Sequence, residues 1–71
     1  MKLLNAAIPH LTVRQLQILN LAALGKSAKE IAIEIAITPR TVECHIERIR
    51  LILRARNQPH MITIAMLGSI I

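Results

Sequence analysis

The chain has 71 residues, enough for one small domain that can bury only about 60% of the surface its unfolded form exposes. Apolar residues make up 54% of it with no Trp, Tyr or Phe, so Leu, Ile, Val, Met and Ala must build the core and no ring is available to stack on single-stranded bases. Nine Lys and Arg against four Asp and Glu give a net charge of +5, which suits a polyanionic partner or simply solubility.

Cys44 is the single cysteine, which excludes an intrachain disulfide and fits a reduced, cytoplasmic setting. No apolar run approaches the ~18 residues needed to span a bilayer, so no membrane partner is expected. The opening stretch, Met1 to Ile8, is apolar but broken by Asn5 and stopped by Pro9, which argues against a signal peptide. Residues 1–10 read as a flexible lead-in or linker remnant, and 11–71 as the domain.

Thr12-Val13-Arg14-Gln15 fits a capping box, in which Thr12 accepts from the N–H of Gln15 and the Gln15 side chain reaches back. Leu11 and Leu16 stand where a hydrophobic staple would place them. The first helix then runs over about 12–24, with Leu16, Leu19, Ala22 and Ala23 as its buried stripe and Gly25 as its stop. Ser27-Ala28-Lys29-Glu30 is a second capping box and opens a helix over about 27–36. Ile31, Ala32 and Ile35 fall at helical spacing on one apolar face.

Thr38-Pro39 ends that helix and starts another. Pro disfavours helical geometry in the residue before it, while Thr can cap and Pro suits a first helical position. This third helix covers about 38–54, with Val42, His45, Ile46, Ile49 and Leu53 facing inward. Two short helices joined by a turn of about three residues form a helix-turn-helix. Asn57 caps a fourth helix over about 57–68, with Pro59 tolerated in its first turn. There is no internal repeat, low-complexity tract or strand alternation. The reading is all-α: a compact four-helix domain with a helix-turn-helix.

Leu11-Thr12-x-Arg14-x-x-x-Ile18-Leu19-x-Leu21-x-Ala23-x-Gly25-Lys26-Ser27-x-Lys29-Glu30-Ile31-Ala32 resembles the opening of the LuxR-type (GerE-like) DNA-binding domain. Ile37-Thr38-x-Arg40-Thr41-Val42-x-x-His45-x-x-x-Ile49-x-x-x-Leu53 is similar to its recognition-helix segment, and Asn57 with the apolar helix after it completes the pattern. The resemblance implies a bacterial transcription regulator, either a standalone member or the output domain of a response regulator. It implies DNA binding through the second and third helices and dimerisation through the fourth. Double-stranded DNA, a second copy of the chain and RNA polymerase are the partners it suggests, with no cofactor and no small molecule bound by the domain. The family usually has Glu at Gln15 and Gln17, Asn at Ala28, Lys or Arg at Glu43, Lys at Ile52 and Arg at Gln58. Several of these differences remove a positive charge or polar group that would face DNA.

A recognition helix lays its first turns along base edges while neighbouring groups hold phosphates. In the family the matches of Glu43, Cys44 and Glu47 face the bases. A Glu there can accept from a cytosine amino group; alternatively Glu43 and Glu47 pair with Arg40 and Arg50 at i,i+3 spacing on a solvated helix. Ser27 and Lys29, at the start of the second helix where free N–H groups favour an anion, are candidate phosphate contacts, or only a cap and a solvated charge. Arg40, Thr41 and Arg48 are the other phosphate candidates. Arg50, Arg54 and Arg56 either follow the backbone or form a solvated face. His45 reads as a packed histidine rather than a phosphate contact. Cys44 and His45 point about 100° apart on a helix and make no chelating pair, so no metal is expected. No nucleophile stands with a base and an orienter, so no enzyme activity is expected.

Met61, Ile62, Ile64, Ala65, Met66 and Leu67 cover nearly every side of the fourth helix. Met61, Ile62, Ile64, Ala65 and Met66 are the candidate dimer interface, since contiguous exposed apolar surface marks a contact; burial inside a larger parent protein is the alternative. Ile33 and Ile52 are apolar where exposure is expected and could extend that surface. The leading function is sequence-specific binding of double-stranded DNA for transcriptional regulation. The alternative is a protein-interaction module that keeps the fold and has lost DNA binding. A basic amphipathic peptide acting at membranes would fit the charge but not the ordered caps.

Overall fold

Every helix in the computed structural model, which describes residues 11–71, starts on a side chain that caps it. α1 spans Val13–Ala23, α2 Ala28–Ile35, α3 Pro39–Ile52 and α4 Gln58–Leu67. The lead-in assigned to residues 1–10 lies outside the described residues. Thr12 Oγ1 accepts from the Gln15 N–H at 3.0 Å, and the Thr12 N–H donates to Gln15 Oε1 at 2.9 Å. Ser27 and Glu30 repeat the exchange at 3.2 and 2.7 Å. Thr38 accepts from the Thr41 N–H at 3.2 Å, and Asn57 from the His60 N–H at 2.9 Å. Each contact satisfies an N–H that the first turn leaves without an intrahelical partner.

The helix ends share one device. Gly25, Ala36, Arg54 and Ser69 all adopt left-handed backbone, with φ of 88°, 59°, 57° and 56°. The next N–H then reaches back five residues: Lys26 to Leu21, Ile37 to Ala32, Ala55 to Arg50 and Ile70 to Ala65, at 3.3, 3.0, 2.9 and 2.8 Å. These bonds occupy carbonyls that the last turn would otherwise leave free. The left-handed turn at Arg54 ends regular helix at Ile52, short of the expected position 54. At the end of α4 it is Ser69, not Gly68, that turns left-handed.

α1 packs on α3 and α4, and α2 lies across α3 and the α1 side. Ile18, Leu19, Ile31, Val42, Ile49 and Met61 are completely buried between them, with Ala22, Ala32, Leu53, Ala55 and Ala65 filling the gaps. The inward face of α1 is rotated from the expected one. Gln15, Ile18, Leu19 and Ala22 form the buried stripe, while Ala23 is exposed and Leu16 half-buried. Positions 15, 18, 19 and 22 follow one another at i+3 and i+4 and share a face, which position 23 overshoots. Ile52, read as exposed, is half-buried against the core, whereas Ile33 is 81% exposed as expected.

Two residues assigned to the dimer interface have no surface to contribute. Met61 and Ala65 are 0% exposed because they are the positions of α4 that seat it in the core. Among the interface candidates, Ile62 and Ile64 are half-buried and Met66 is 62% exposed; Leu67 beside it is exposed as well.

Candidate nucleic-acid interface

Ile31 and Ala32 anchor α2, Val42 and Ile49 anchor α3, and the turn between the helices is tightened by left-handed Ala36 and half-buried Ile37. This arrangement sends Arg40, Thr41, Glu43, Cys44, Glu47 and Arg48 outward from α3, and all six are exposed. Thr38 and Thr41 share a hydrogen bond between their hydroxyls at 2.8 Å, so Thr41 is oriented before any ligand arrives.

Arg40, Thr41, Cys44, His45 and Arg48 line one open depression of about 160 Å³. Four of the expected contact residues thus come together on one wall. His45 is half-buried, as its inward position suggests, yet its Nδ1 is buried without a hydrogen-bond partner. Ser27 and Lys29 do not line this depression; they are exposed at the start of α2. The Ser27 hydroxyl accepts from Glu30 N–H at 3.2 Å. The Ser27 N–H, then the Ser27 hydroxyl, hold the Glu30 carboxyl below its ordinary value against a small opposing effect of burial, and Lys26 lowers it further.

The two acids of the outward face differ. Glu47 forms a two-pronged pair with Arg50, at 2.6 and 3.0 Å, and this hydrogen bonding lowers its pKa against the opposing pull of burial. The same pairing raises the pKa of Arg50. Arg50 also donates to the Ala55 carbonyl at 2.8 Å, so it is engaged within the protein and does not extend the arginine run toward a ligand. Glu43 makes no ion pair or side-chain hydrogen bond among the described residues, so the expected pairing with Arg40 is not formed. Lys26 pairs with Glu34 at 3.2 Å. Lys29, Arg40, Arg48, Arg54 and Arg56 are exposed and form no ion pair among the described residues.

Sequence reasoning missed the link from Arg50 to Ala55 and the Lys26–Glu34 pair. The first joins a side chain to a backbone carbonyl beyond a helix end. The second spans eight positions across a turn and a helix, outside the i,i+3 and i,i+4 spacings that flag a pair. Away from α3, between α1, α4 and the C-terminal residue, Asn20, Ala23, Leu24, Met66 and Ile71 frame an apolar pocket of about 280 Å³. No group of His, Cys, Asp and Glu able to hold a metal ion occurs among the described residues, and none of their helices is long and apolar enough to cross a membrane.

The family described as bacterial regulatory proteins, luxR family (GerE), matches residues 9–65. The transcriptional regulatory protein FixJ of Rhizobium meliloti is 32% identical over 66 residues, which are 93% of this chain and 32% of FixJ. The uncharacterized transcriptional regulatory protein YvfU of Bacillus subtilis is 44% identical over 55 residues, 78% of this chain and 28% of YvfU. The chain therefore spans about a third of the length of these curated relatives. No solved structure matches it.

Proposed function

We propose that this chain, which belongs to the luxR family of bacterial regulatory proteins, binds double-stranded DNA sequence-specifically as a dimer, with α3 in the major groove. The family's domain is a DNA-binding domain of transcription regulators, and the finer reading rests on the outward face of the helix-turn-helix. The observation that carries it is that Lys29, Arg40 and Arg48 are exposed and unpaired among the described residues, on the two helices that would meet DNA. These three, with the hydroxyls of Ser27 and Thr41, hold phosphates. Glu43 and Cys44 are the outward residues presented to the bases, while Glu47, on the same face, is paired with Arg50. Phosphate contacts set register, and base contacts set sequence.

Ile62, Ile64 and Met66 form the dimer contact on α4, with exposed Leu67 and Leu24 as added apolar area. A two-fold dimer would place the two α3 helices at half-sites about 34 Å apart, one turn of DNA. Such a regulator acts in the cytoplasm and meets RNA polymerase at its promoter. Selection of bound sites from a random duplex library tests the reading. Enrichment of a two-fold symmetric site supports it, and a library that stays random overturns it.

One observation favours a second reading, a protein-interaction module on the same scaffold: two carboxylates stand on the face that would approach a polyanion. In that case wild-type protein shifts no duplex, whereas a Glu43→Lys, Glu47→Lys variant gains DNA binding.

A further inference from the structure

The carboxylates of Glu43 and Glu47 lie one helical turn apart on the outward face of α3, but only one is free to meet a base. Both Glu47 oxygens are taken by the Arg50 guanidinium, at 2.6 and 3.0 Å. Arg50 is held in turn by the Ala55 carbonyl at 2.8 Å, and Ala55 is a core residue, 4% exposed. The pair orients the Glu47 carboxylate toward Arg50 and balances its charge, so a base amino group would meet only the acceptor sites the guanidinium leaves. Glu43 has no such tie among the described residues and is exposed.

An ionised carboxylate can only accept hydrogen bonds. In the major groove, guanine presents N7 and O6 and thymine presents O4, all acceptors that repel it. Adenine offers its N6 amino group beside the N7 acceptor, so a carboxylate drawn to one is repelled by the other. Cytosine alone presents an amino donor with no neighbouring acceptor on that edge.

We propose that Glu43 is the base-reading carboxylate and selects a cytosine in each half-site, while Glu47 holds the exit of α3 through Arg50 and reads no base. This inference rests on the DNA-binding reading above. It also accounts for an unpaired acid beside two unpaired cations: a carboxylate directed to a cytosine amino group adds selectivity, and Arg40 and Arg48 supply the attraction to the backbone.

The test is selection from a random duplex library with wild type, Glu43→Gln and Glu47→Gln, followed by titration of the winning site. Wild type is expected to enrich a cytosine at one position of each half-site, and replacing it is expected to weaken binding between about fivefold and a hundredfold. Glu43→Gln is expected to change that preference to adenine, because a carboxamide matches the N6 and N7 pair. Glu47→Gln is expected to leave every base preference in place and to lower the melting temperature. A cytosine preference that survives Glu43→Gln, or one lost in Glu47→Gln, overturns the inference while leaving DNA binding intact. Wild type that enriches nothing defeats the DNA-binding reading itself, and this inference with it. Far-UV melting of each variant separates misfolding from lost recognition, and Glu43→Ala gives a second variant at the same exposed position.

Discussion

Replacing Lys29, Arg40 and Arg48 by Ala should remove the salt dependence of DNA binding almost entirely. These three cations are exposed and unpaired among the described residues, so each is free to displace a counterion from a phosphate. Each neutralised phosphate contributes about 0.9 to the slope of log affinity against log salt, so a dimer with six such contacts has a slope of about −5. Raising salt fourfold, from about 50 to 200 mM, then weakens binding by about three orders of magnitude, whereas a monomer with three contacts loses only about fortyfold. Fluorescence anisotropy on a labelled duplex across this range reads the slope directly. Arg50 supplies an internal control. Its guanidinium is engaged by Glu47 and the Ala55 carbonyl, so Arg50→Gln should leave the slope unchanged. A flat wild-type slope, or a steep one that survives the triple replacement, would refute the assignment of these cations to the backbone.

Three further outcomes follow from the fold. Ala36→Gly should stabilise the domain by about 0.5–1 kcal/mol in urea denaturation, because relief of left-handed Ala exceeds the added entropy of unfolded Gly. Thr38→Ala should destabilise it by about 1 kcal/mol in the same assay, since it uncaps α3 and deprives Thr41 of its hydroxyl partner. Glu30 and Glu47 have pKa values lowered in the folded state from an ordinary 4.5, so their stabilisation is complete above that value and is lost as pH falls through the lower folded values. The melting temperature should therefore fall on acidification below about pH 4.5, and the combined Glu30→Gln, Glu47→Gln variant should fall less steeply over that interval.

The starts of the helices were legible because a cap involves residues three apart. Thr12 with Gln15 and Ser27 with Glu30 need no knowledge of the rest of the chain. The same holds for the cap at Thr38 and the break at Pro39. Helix rotation was less legible. In α1 several apolar residues compete for the inward stripe, and packing on α3 and α4 chose Ile18 over Ala23. In α4 apolar residues surround the helix, so their pattern has no phase, and the seating of Met61 and Ala65 in the core is visible only in three dimensions. At the candidate interface, the exposure of Arg40, Glu43, Cys44, Glu47 and Arg48 follows from helical spacing. The inequality of Glu43 and Glu47 does not, because it depends on a carbonyl beyond the helix end.

The four self-contained starts and left-handed stops also bear on how the chain finds its fold. Each helix boundary is specified by contacts within three to five residues, and connections between helices are short. The search is therefore largely local, which is the regime of domains that fold in microseconds to milliseconds. The most distant pairing in the chain is α1 with α4, and its docking closes the core around Met61. Formation of the helix-turn-helix does not have to wait for that step, since α2 and α3 are neighbours in sequence and pack directly on each other.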